Sequence, residues 1–243
     1  MERGVETQRI ETQSVAVQAI TPPTDEELKL ATSPEALQVP IWFPQVSLKR
    51  LQDILDLERP DTHFALSKLP RETLWVGNTD TSFLCSGDTP LTILVLGVLH
   101  GMTLISRDDN EEAAALVALD LLRDIDREAA KRLISDVPKP WDQLTDIEVY
   151  HYKPQCQTVF DNFYDATEVY ATKRRMPKIS ASCVATGDVV LVDAHLMRFR
   201  AENPDASGQT AFVTKLRLIS VSTVFRAPRT VVAEEEADFG WTI

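Results

Sequence analysis

The chain has 243 residues, of which 44% are hydrophobic and 26% charged, and it carries a formal net charge of −12. This length allows one large domain or two small ones with an adequate buried core, and the composition excludes disordered and fibrous proteins. Three widely spaced cysteines form no C-x-x-C pair, which argues against a disulfide framework or a zinc site and favours a reducing compartment.

Residues 1–40 are predicted to form a flexible N-terminal arm. They are rich in Thr, Gln, Glu and Pro and lack an apolar face, so ordering them would cost entropy without burying much surface. The polar start has no apolar signal core, and the most apolar run, 91–105, is shorter than the roughly 20 residues of a spanning helix. We therefore expect no membrane association and an intracellular protein, cytoplasmic or nuclear.

Segment 41–141 is predicted to be a mixed α/β part. Trp42 and Phe43 lie between two prolines and indicate an extended segment, and the apolar spacing in 48–57 predicts a short helix. Two short strands around a polar turn at 78–80 follow, and then two buried strands within 91–106.

A long helix is predicted over about 110–135, at the end of the 41–141 segment. Acidic residues at Glu111 and Glu112 follow capping groups and lie where the helix dipole favours negative charge. Apolar side chains then recur at spacings of three and four, as one stripe of a helix requires. The stripe consists of Ala118, Leu122, Ile125, Ala129 and Leu133.

Segment 142–229 is predicted to be a basic, antiparallel β part, either a barrel or a curved sheet, similar in pattern to oligonucleotide-binding barrels. Two β-type runs, 187–200 and 210–225, are separated by turn-forming residues and predict a hairpin. A hairpin centred near Asp205 would place Asp193 opposite Arg217. Residues 230–243 form an acidic tail with two aromatic residues, and the predicted fold class is α+β.

Charge and aromatic residues are concentrated in one region of the chain. Residues 171–229 contain ten Lys and Arg against four Asp and Glu, a net charge of +6 that leaves −18 on the rest. All four tyrosines lie within 150–170, just before the basic run 173–178. Cations that follow phosphates and rings that stack on bases are what single-stranded nucleic acid binding needs.

The sequence therefore predicts non-enzymatic binding of single-stranded or structured nucleic acid through this C-terminal β region. The predicted phosphate contacts are Lys173, Arg174, Arg175, Lys178, Arg198 and Arg200, and the predicted stacking residues are Tyr164 and Tyr170. The common nucleotide-binding and hydrolase motifs are absent from the chain. We accordingly expect no catalytic residues, no metal site and no cofactor.

The alternative is a structural, assembly or adaptor protein that binds an acidic protein surface or self-associates. In that case Trp42, Phe43, Phe239 and Trp241 would be the partner-binding residues. A further hypothesis is that the acidic, aromatic tail folds back on the basic surface in the absence of ligand, so that deleting 231–243 tightens oligonucleotide binding. The basic run at 173–178 also resembles a short nuclear import signal.

Overall fold

The structure is a computed structural model that describes residues 33–56, 62–105, 113–134, 146–153, 160–201 and 211–229. The helices and strands of the described residues all lie within Pro34–Ile243. The fold is mixed α+β, mostly sheet with two short helices, which confirms the predicted class at that level. None of the helices in the described ranges is long and apolar enough to cross a membrane.

The helices are short, and most of the described chain forms one sheet. The two α-helices are α1 (Leu48–Leu55) and α2 (Asp124–Leu133), and 3-10 turns lie at Gln45–Ser47, Leu66–Lys68 and Ala181–Cys183. The strands are β1 (His63–Ala65), β2 (Leu74–Gly77), β3 (Thr81–Ser86), β4 (Thr89–Pro90), β5 (Thr92–Ile105), β6 (Ala113–Leu121), β7 (Asp146–Lys153), β8 (Phe163–Asp165), β9 (Val189–Arg200) and β10 (Phe212–Phe225).

Five of these strands pair in a closed ring. The strand order is β1–β5–β6–β7–β10–β9–β3–β2, and β5 pairs again with β9. Strands β9 and β10 are antiparallel over most of their length, which confirms the predicted hairpin. Strand β10 is parallel to β7 and β8, however. The predicted antiparallel C-terminal part is therefore wrong in its strand directions, and its strands belong to a mixed sheet that also contains strands of the 41–141 segment.

The predicted long helix over about 110–135 is wrong for its first half. Strand β6 pairs with β5 on one side and with β7 on the other, and only α2 is helical. Alternate side chains of β6 are buried, namely Ala115, Val117, Leu119 and Leu121. A run of alanine and leucine fits a period of two as well as a period of 3.6, and the two neighbouring strands make the extended form the stable one.

Part of the predicted flexible arm is attached to the body. The backbone amide of Gln38 donates to the carbonyl of Leu122 at 2.7 Å, and the amide of Ile125 donates to the carbonyl of Pro34 at 3.0 Å. These bonds connect the segment to the start of α2. Residues 1–32 and the predicted tail at 230–243 lie outside the described residues.

The buried side chains form two cores on opposite faces of the strands. The first core contains alternate apolar side chains from all five strands of the ring. The second core contains intervening side chains of β5, β9 and β10, together with Leu51, Ile54 and Leu55 of α1. Helix α1 therefore uses the apolar face that its sequence predicts, and it covers one part of the second face. The rest of that face carries the candidate site.

Candidate nucleic-acid interface

Cross-strand pairs define the face of β3, β9, β10 and β7 that lies opposite the first core, which we call the outer face. Phe83 is paired with Met197, and Met197 is paired with Lys215. One step along, Arg217 is paired with Tyr150 of β7 on its other side. Because directly paired residues point to the same side of a sheet, these side chains lie together.

A groove of about 610 Å³ lies on this part of the outer face. We call it the aromatic-basic groove, and its lining includes Phe83, Tyr150, Met197, Phe199, Lys215 and Arg217. The Lys215 ammonium lies 5.2 Å from the Tyr150 ring centroid and 5.5 Å from that of Phe199. The Arg217 guanidinium lies 5.6 Å from the Phe83 centroid. Two cations of β10 therefore lie beside aromatic rings of β7, β9 and β3.

The charge of the groove is positive among the residues that the structure describes. None of its described lining residues is acidic, and Arg217 makes no ion pair with a described carboxylate. The Tyr150 hydroxyl donates to Glu148 on the same strand. Burial lowers the pKa of His195 below its ordinary value of 6.5, and the nearby charge of Arg217 lowers it further. His195 is therefore neutral at pH 7, and its ring meets Phe83 edge-on.

A partly buried ion pair lies further along the outer face, beyond the residues that line the groove. The Lys173 ammonium lies 2.9 Å from a carboxylate oxygen of Asp193, whose side chain is only 7% exposed. The Ser220 hydroxyl donates to the same carboxylate oxygen at 3.0 Å, and Lys173 donates to Ser222 at 2.7 Å. The second carboxylate oxygen of Asp193 is buried without a hydrogen-bond partner.

The predicted basic loop contains cations of two kinds. Arg174 and Arg175 are exposed and have no ionic partner within the described part of the chain. Lys178 is paired with Asp161 at 2.7 Å on the surface. Lys173 is neutralised by the Asp193 carboxylate, so its assignment as a phosphate contact is the weakest of the four.

The two predicted stacking tyrosines lie under Lys173. Its ammonium is 5.3 Å from the Tyr164 centroid and 5.5 Å from the Tyr170 centroid. Tyr170 also packs against the second core. These rings therefore support the lysine, and the rings that line the groove are different ones.

Arg198 and Arg200 point away from the aromatic-basic groove because they alternate with Met197 and Phe199 along β9. They line a separate cavity of about 400 Å³ beside the turn between β2 and β3, which we call the hairpin pocket. The Arg198 guanidinium lies 4.6 Å from the ring centroids of both Trp75 and Phe212. The structure therefore divides the predicted phosphate contacts between two sites.

The predicted partner-binding residues also differ in their surroundings. Phe43 is 3% exposed and meets the Phe225 ring at 4.6 Å between centroids. It is a core residue, and contact with a partner would require the second core to open. Trp42 is partly exposed and packs against the same core. Phe239 and Trp241 lie outside the described residues.

Sequence reasoning missed the lining of the aromatic-basic groove. Lys215 and Arg217 stand out as cations on a β-run, but Phe83 belongs to a different segment, and only the pairing of β3 with β9 brings it near. The predicted pairing of Asp193 with Arg217 is wrong. Arg217 is paired with His195, because the hairpin is centred one residue later than Asp205, and a register shift between residues 218 and 220 then pairs Asp193 with Ser220.

The described residues contain no group of three or more His, Cys, Asp or Glu side chains that could hold a metal ion. Comparisons with known proteins add little. No protein-family model matches the chain, and no curated protein matches its sequence.

Two solved structures are similar at a low level. One is gp2.5, a single-stranded DNA binding protein encoded by bacteriophage T7, with 14% identity and a TM-score of 0.38 over 64% of this chain and 100% of its own. The other is a candidate aspartyl-tRNA synthetase from Leishmania major Friedlin, with 14% identity and a TM-score of 0.24 over 72% of this chain and 22% of its own. Both TM-scores are too low to establish the fold or the function of this chain.

Proposed function

We propose that the protein binds single-stranded nucleic acid in the aromatic-basic groove and catalyses no reaction on it. The observation that carries the proposal is the set of cations held beside ring faces on an open sheet face. Unpaired bases expose faces that stack on aromatic side chains for about 1–3 kcal/mol per base, and cations beside them meet the phosphates. A duplex keeps its bases stacked internally and offers such rings nothing to stack on.

The strand arrangement supports the same function. Five strands that close on themselves through the β5–β9 pairing are the framework of oligonucleotide-binding barrels, and we assign the ring to that type. Its mixed pairing, with β7 parallel to β10, places Tyr150 beside Arg217. The stacking surface thus extends over β3, β9, β10 and β7.

The outer face of β9 indicates how much ligand can lie along it. From Phe199 to Asp193 is about 20 Å at roughly 3.4 Å per residue, with the groove at the Phe199 end and the Lys173–Asp193 pair at the other. Such a length holds a few nucleotides, near the lower limit of the roughly 4–16 nucleotides that one fold of this type binds. In this proposal the exposed Arg174 and Arg175 contact the phosphates of a longer strand.

The salt dependence of oligonucleotide binding tests the proposal. Each phosphate contact with a single strand contributes about −0.7 to the slope of log affinity against log salt. The double change Lys215→Gln and Arg217→Gln should therefore reduce the slope by about 1.4. The measurement is fluorescence anisotropy of a labelled oligonucleotide over a series of salt concentrations.

A matched control removes the same charge from another surface. Lys131→Gln with Arg132→Gln changes two exposed cations of α2, a helix that contributes no described residue to the groove, and should leave the slope unchanged. The double change Arg174→Ala and Arg175→Ala should reduce the slope of log affinity against log salt by about one to two. Absence of detectable binding at low salt would refute nucleic-acid binding. An equal effect of the groove and control variants would show that the groove is not the binding site.

Stacking is tested separately from charge. Phe199→Ala should weaken binding by about 1–3 kcal/mol at every salt concentration and leave the slope as it was, because it removes a ring and no charge. A change in slope with no loss of affinity would contradict the assigned role of this ring.

One observation favours a second candidate function, assembly with a protein partner or self-association. Ile41 and Val46 are almost fully exposed and Val169 is 66% exposed, and exposed apolar side chains mark contact sites when they are contiguous. Sedimentation of the full chain with Ile41→Ser and Val46→Ser tests this function. Dissociation of an oligomer while oligonucleotide binding is retained would assign these residues to assembly.

A further inference from the structure

The hairpin pocket is a second cationic cavity, on the opposite side of β9 from the aromatic-basic groove. Its volume of about 400 Å³ falls within the roughly 300–1,000 Å³ of small-molecule sites. Arg198 and Arg200 both line it, and none of its described lining residues is acidic. Among its described lining residues the pocket therefore carries a formal charge of +2.

Arg198 is held in place before any ligand arrives. Its guanidinium lies between the rings of Trp75 and Phe212, 4.6 Å from each centroid, and its Nε atom donates to the Ser82 hydroxyl at 2.9 Å. No described carboxylate pairs with it. The ring contacts and the Nε hydrogen bond leave the terminal nitrogens as donors for an acceptor in the pocket.

The turn between β2 and β3 shapes the opposite wall. The Asn78 side-chain oxygen accepts hydrogen bonds from the backbone amides of Asp80 and Thr81, at 3.0 and 2.6 Å. A β-carbon at Gly77 would lie 2.2 Å from the Thr81 carbonyl oxygen, so the two strands are closer there than any other residue allows. The backbone amide of Arg200 donates to the Asp80 carbonyl, which joins this turn to the second arginine.

We propose that the hairpin pocket binds the phosphomonoester group of a nucleotide, either free or at the end of a nucleic-acid strand. A phosphomonoester carries a charge of about −1.5 to −2 at pH 7, which the two arginines match, whereas an internal phosphodiester carries only one negative charge. Arginine binds phosphate in a bidentate manner. The exposed edge of Phe212, which is 39% exposed, offers an apolar surface to the attached base.

The position of the pocket relates it to the proposed function. Met197 and Phe199 enter the groove while Arg198 and Arg200 enter the pocket, and all four lie at the same end of β9. Because the two sites lie on opposite faces of β9, a strand that leaves the groove there reaches the pocket by passing around this end of β9. Binding of a nucleic-acid strand end in the pocket rests on the proposed function, whereas binding of a free nucleotide does not.

Trp75 provides a direct measurement, because its ring touches the arginine that the ligand would contact. We expect a nucleoside monophosphate to change the tryptophan fluorescence of the full chain in a saturable way. The response should be lost in Trp75→Phe, and the affinity should be about tenfold weaker in Arg200→Gln, which removes one charge-assisted contact. Arg132→Gln removes an exposed arginine of α2, away from both sites, and should leave the affinity unchanged.

Two probes define the chemical class. The unphosphorylated nucleoside should give no saturable response, because it lacks the charge that the arginines neutralise. Inorganic phosphate should bind more weakly than the nucleotide, since it has no base to place against Phe212. Equal binding of inorganic phosphate and nucleotide would overturn the assignment of a nucleotide, and absence of any response to the nucleotide would overturn the site.

Oligonucleotides then distinguish the two sources of the phosphate. With a strand end as ligand, an oligonucleotide phosphorylated at one end should bind about tenfold more tightly than its hydroxyl-terminated form, and Arg200→Gln should abolish the difference. A response to the mononucleotide without that difference assigns the pocket to free nucleotides. If the oligonucleotide binds, but the mononucleotide gives no response and the terminal phosphate makes no difference, the pocket is refuted and the proposed function is not. If the mononucleotide gives a response but no oligonucleotide binds, the proposed function is refuted and the pocket is not.

Discussion

Replacing Lys173 with methionine should destabilise the fold, although the residue belongs to a loop whose sequence is that of a solvated basic cluster. The substitution keeps most of the aliphatic chain beside Tyr164 and Tyr170 and removes the ammonium that lies 2.9 Å from Asp193. The carboxylate would then keep the Ser220 hydroxyl as a hydrogen-bond donor to one oxygen, and its other oxygen is already buried without a hydrogen bond.

The magnitude follows from the burial of the two groups. Removing one partner of a fully buried ion pair costs about 3–5 kcal/mol, because an uncompensated charge remains. The Asp193 side chain is 7% exposed, but that of Lys173 is 28% exposed, so water reaches the pair and screens part of the cost. We expect a loss of about 2–3 kcal/mol in the free energy of unfolding.

Chemical denaturation of four variants isolates the interaction. Lys173→Met, Asp193→Asn and the double variant form a mutant cycle, and the double variant should be more stable than the sum of the single losses predicts by at least about 1 kcal/mol. Arg174→Met, on the neighbouring exposed residue, should stay within about 0.5 kcal/mol of the natural chain. A Lys173→Met variant as stable as Arg174→Met would refute the stabilising role of the Lys173–Asp193 pair.

The remaining predictions concern other parts of the same sheet. Gly77→Ala should destabilise the β2–β3 hairpin by about 1–3 kcal/mol and abolish the nucleotide response, since the added carbon meets backbone at 2.2 Å; thermal unfolding and the Trp75 signal measure both. Because the pKa of His195 is lower in the folded chain than in the unfolded chain, the unfolded chain binds a proton at a higher pH. Stability should therefore fall as the pH drops below about 6.5. His195→Gln should flatten this part of the pH profile, and an unchanged profile would contradict the assignment. Asp126→Ala leaves the buried Arg123 guanidinium without its carboxylate and should cost about 3–5 kcal/mol; a loss no larger than that of the exposed Asp124→Ala would contradict it.

The short-range features of the fold were predictable because local chemistry specifies them. Helix α1 has the expected apolar face, and the turn at 78–80 separates β2 and β3 as its polar residues indicate. The β9–β10 hairpin follows from two long β-type runs around turn-forming residues. Strand β6 was mispredicted because its alanine and leucine residues satisfy two periods, and its partners β5 and β7 come from distant parts of the chain.

The chemistry of the candidate site was predictable from the sequence, but the residues that line it were not. The excess of cations and aromatic residues in 150–229 is visible in the sequence, and it indicates an anionic, base-bearing ligand. The register decides which side chains meet it. The hairpin register places Arg217 opposite His195, and a shift between residues 218 and 220 of β10 then pairs Asp193 with Ser220.

By itself the sequence determined the charge asymmetry, the α+β class and the β9–β10 hairpin, because composition, turn chemistry and apolar period act over a few residues. Tertiary structure decided which cations remain available, since this depends on partners far apart in the chain. It neutralised Lys173 with Asp193, placed Arg198 between Trp75 and Phe212, and brought Phe83 beside Arg217. Successive residues of a strand point to opposite faces, so Arg198 and Arg200 of β9 line the pocket while Lys215 and Arg217, paired with the intervening residues of β9, line the groove.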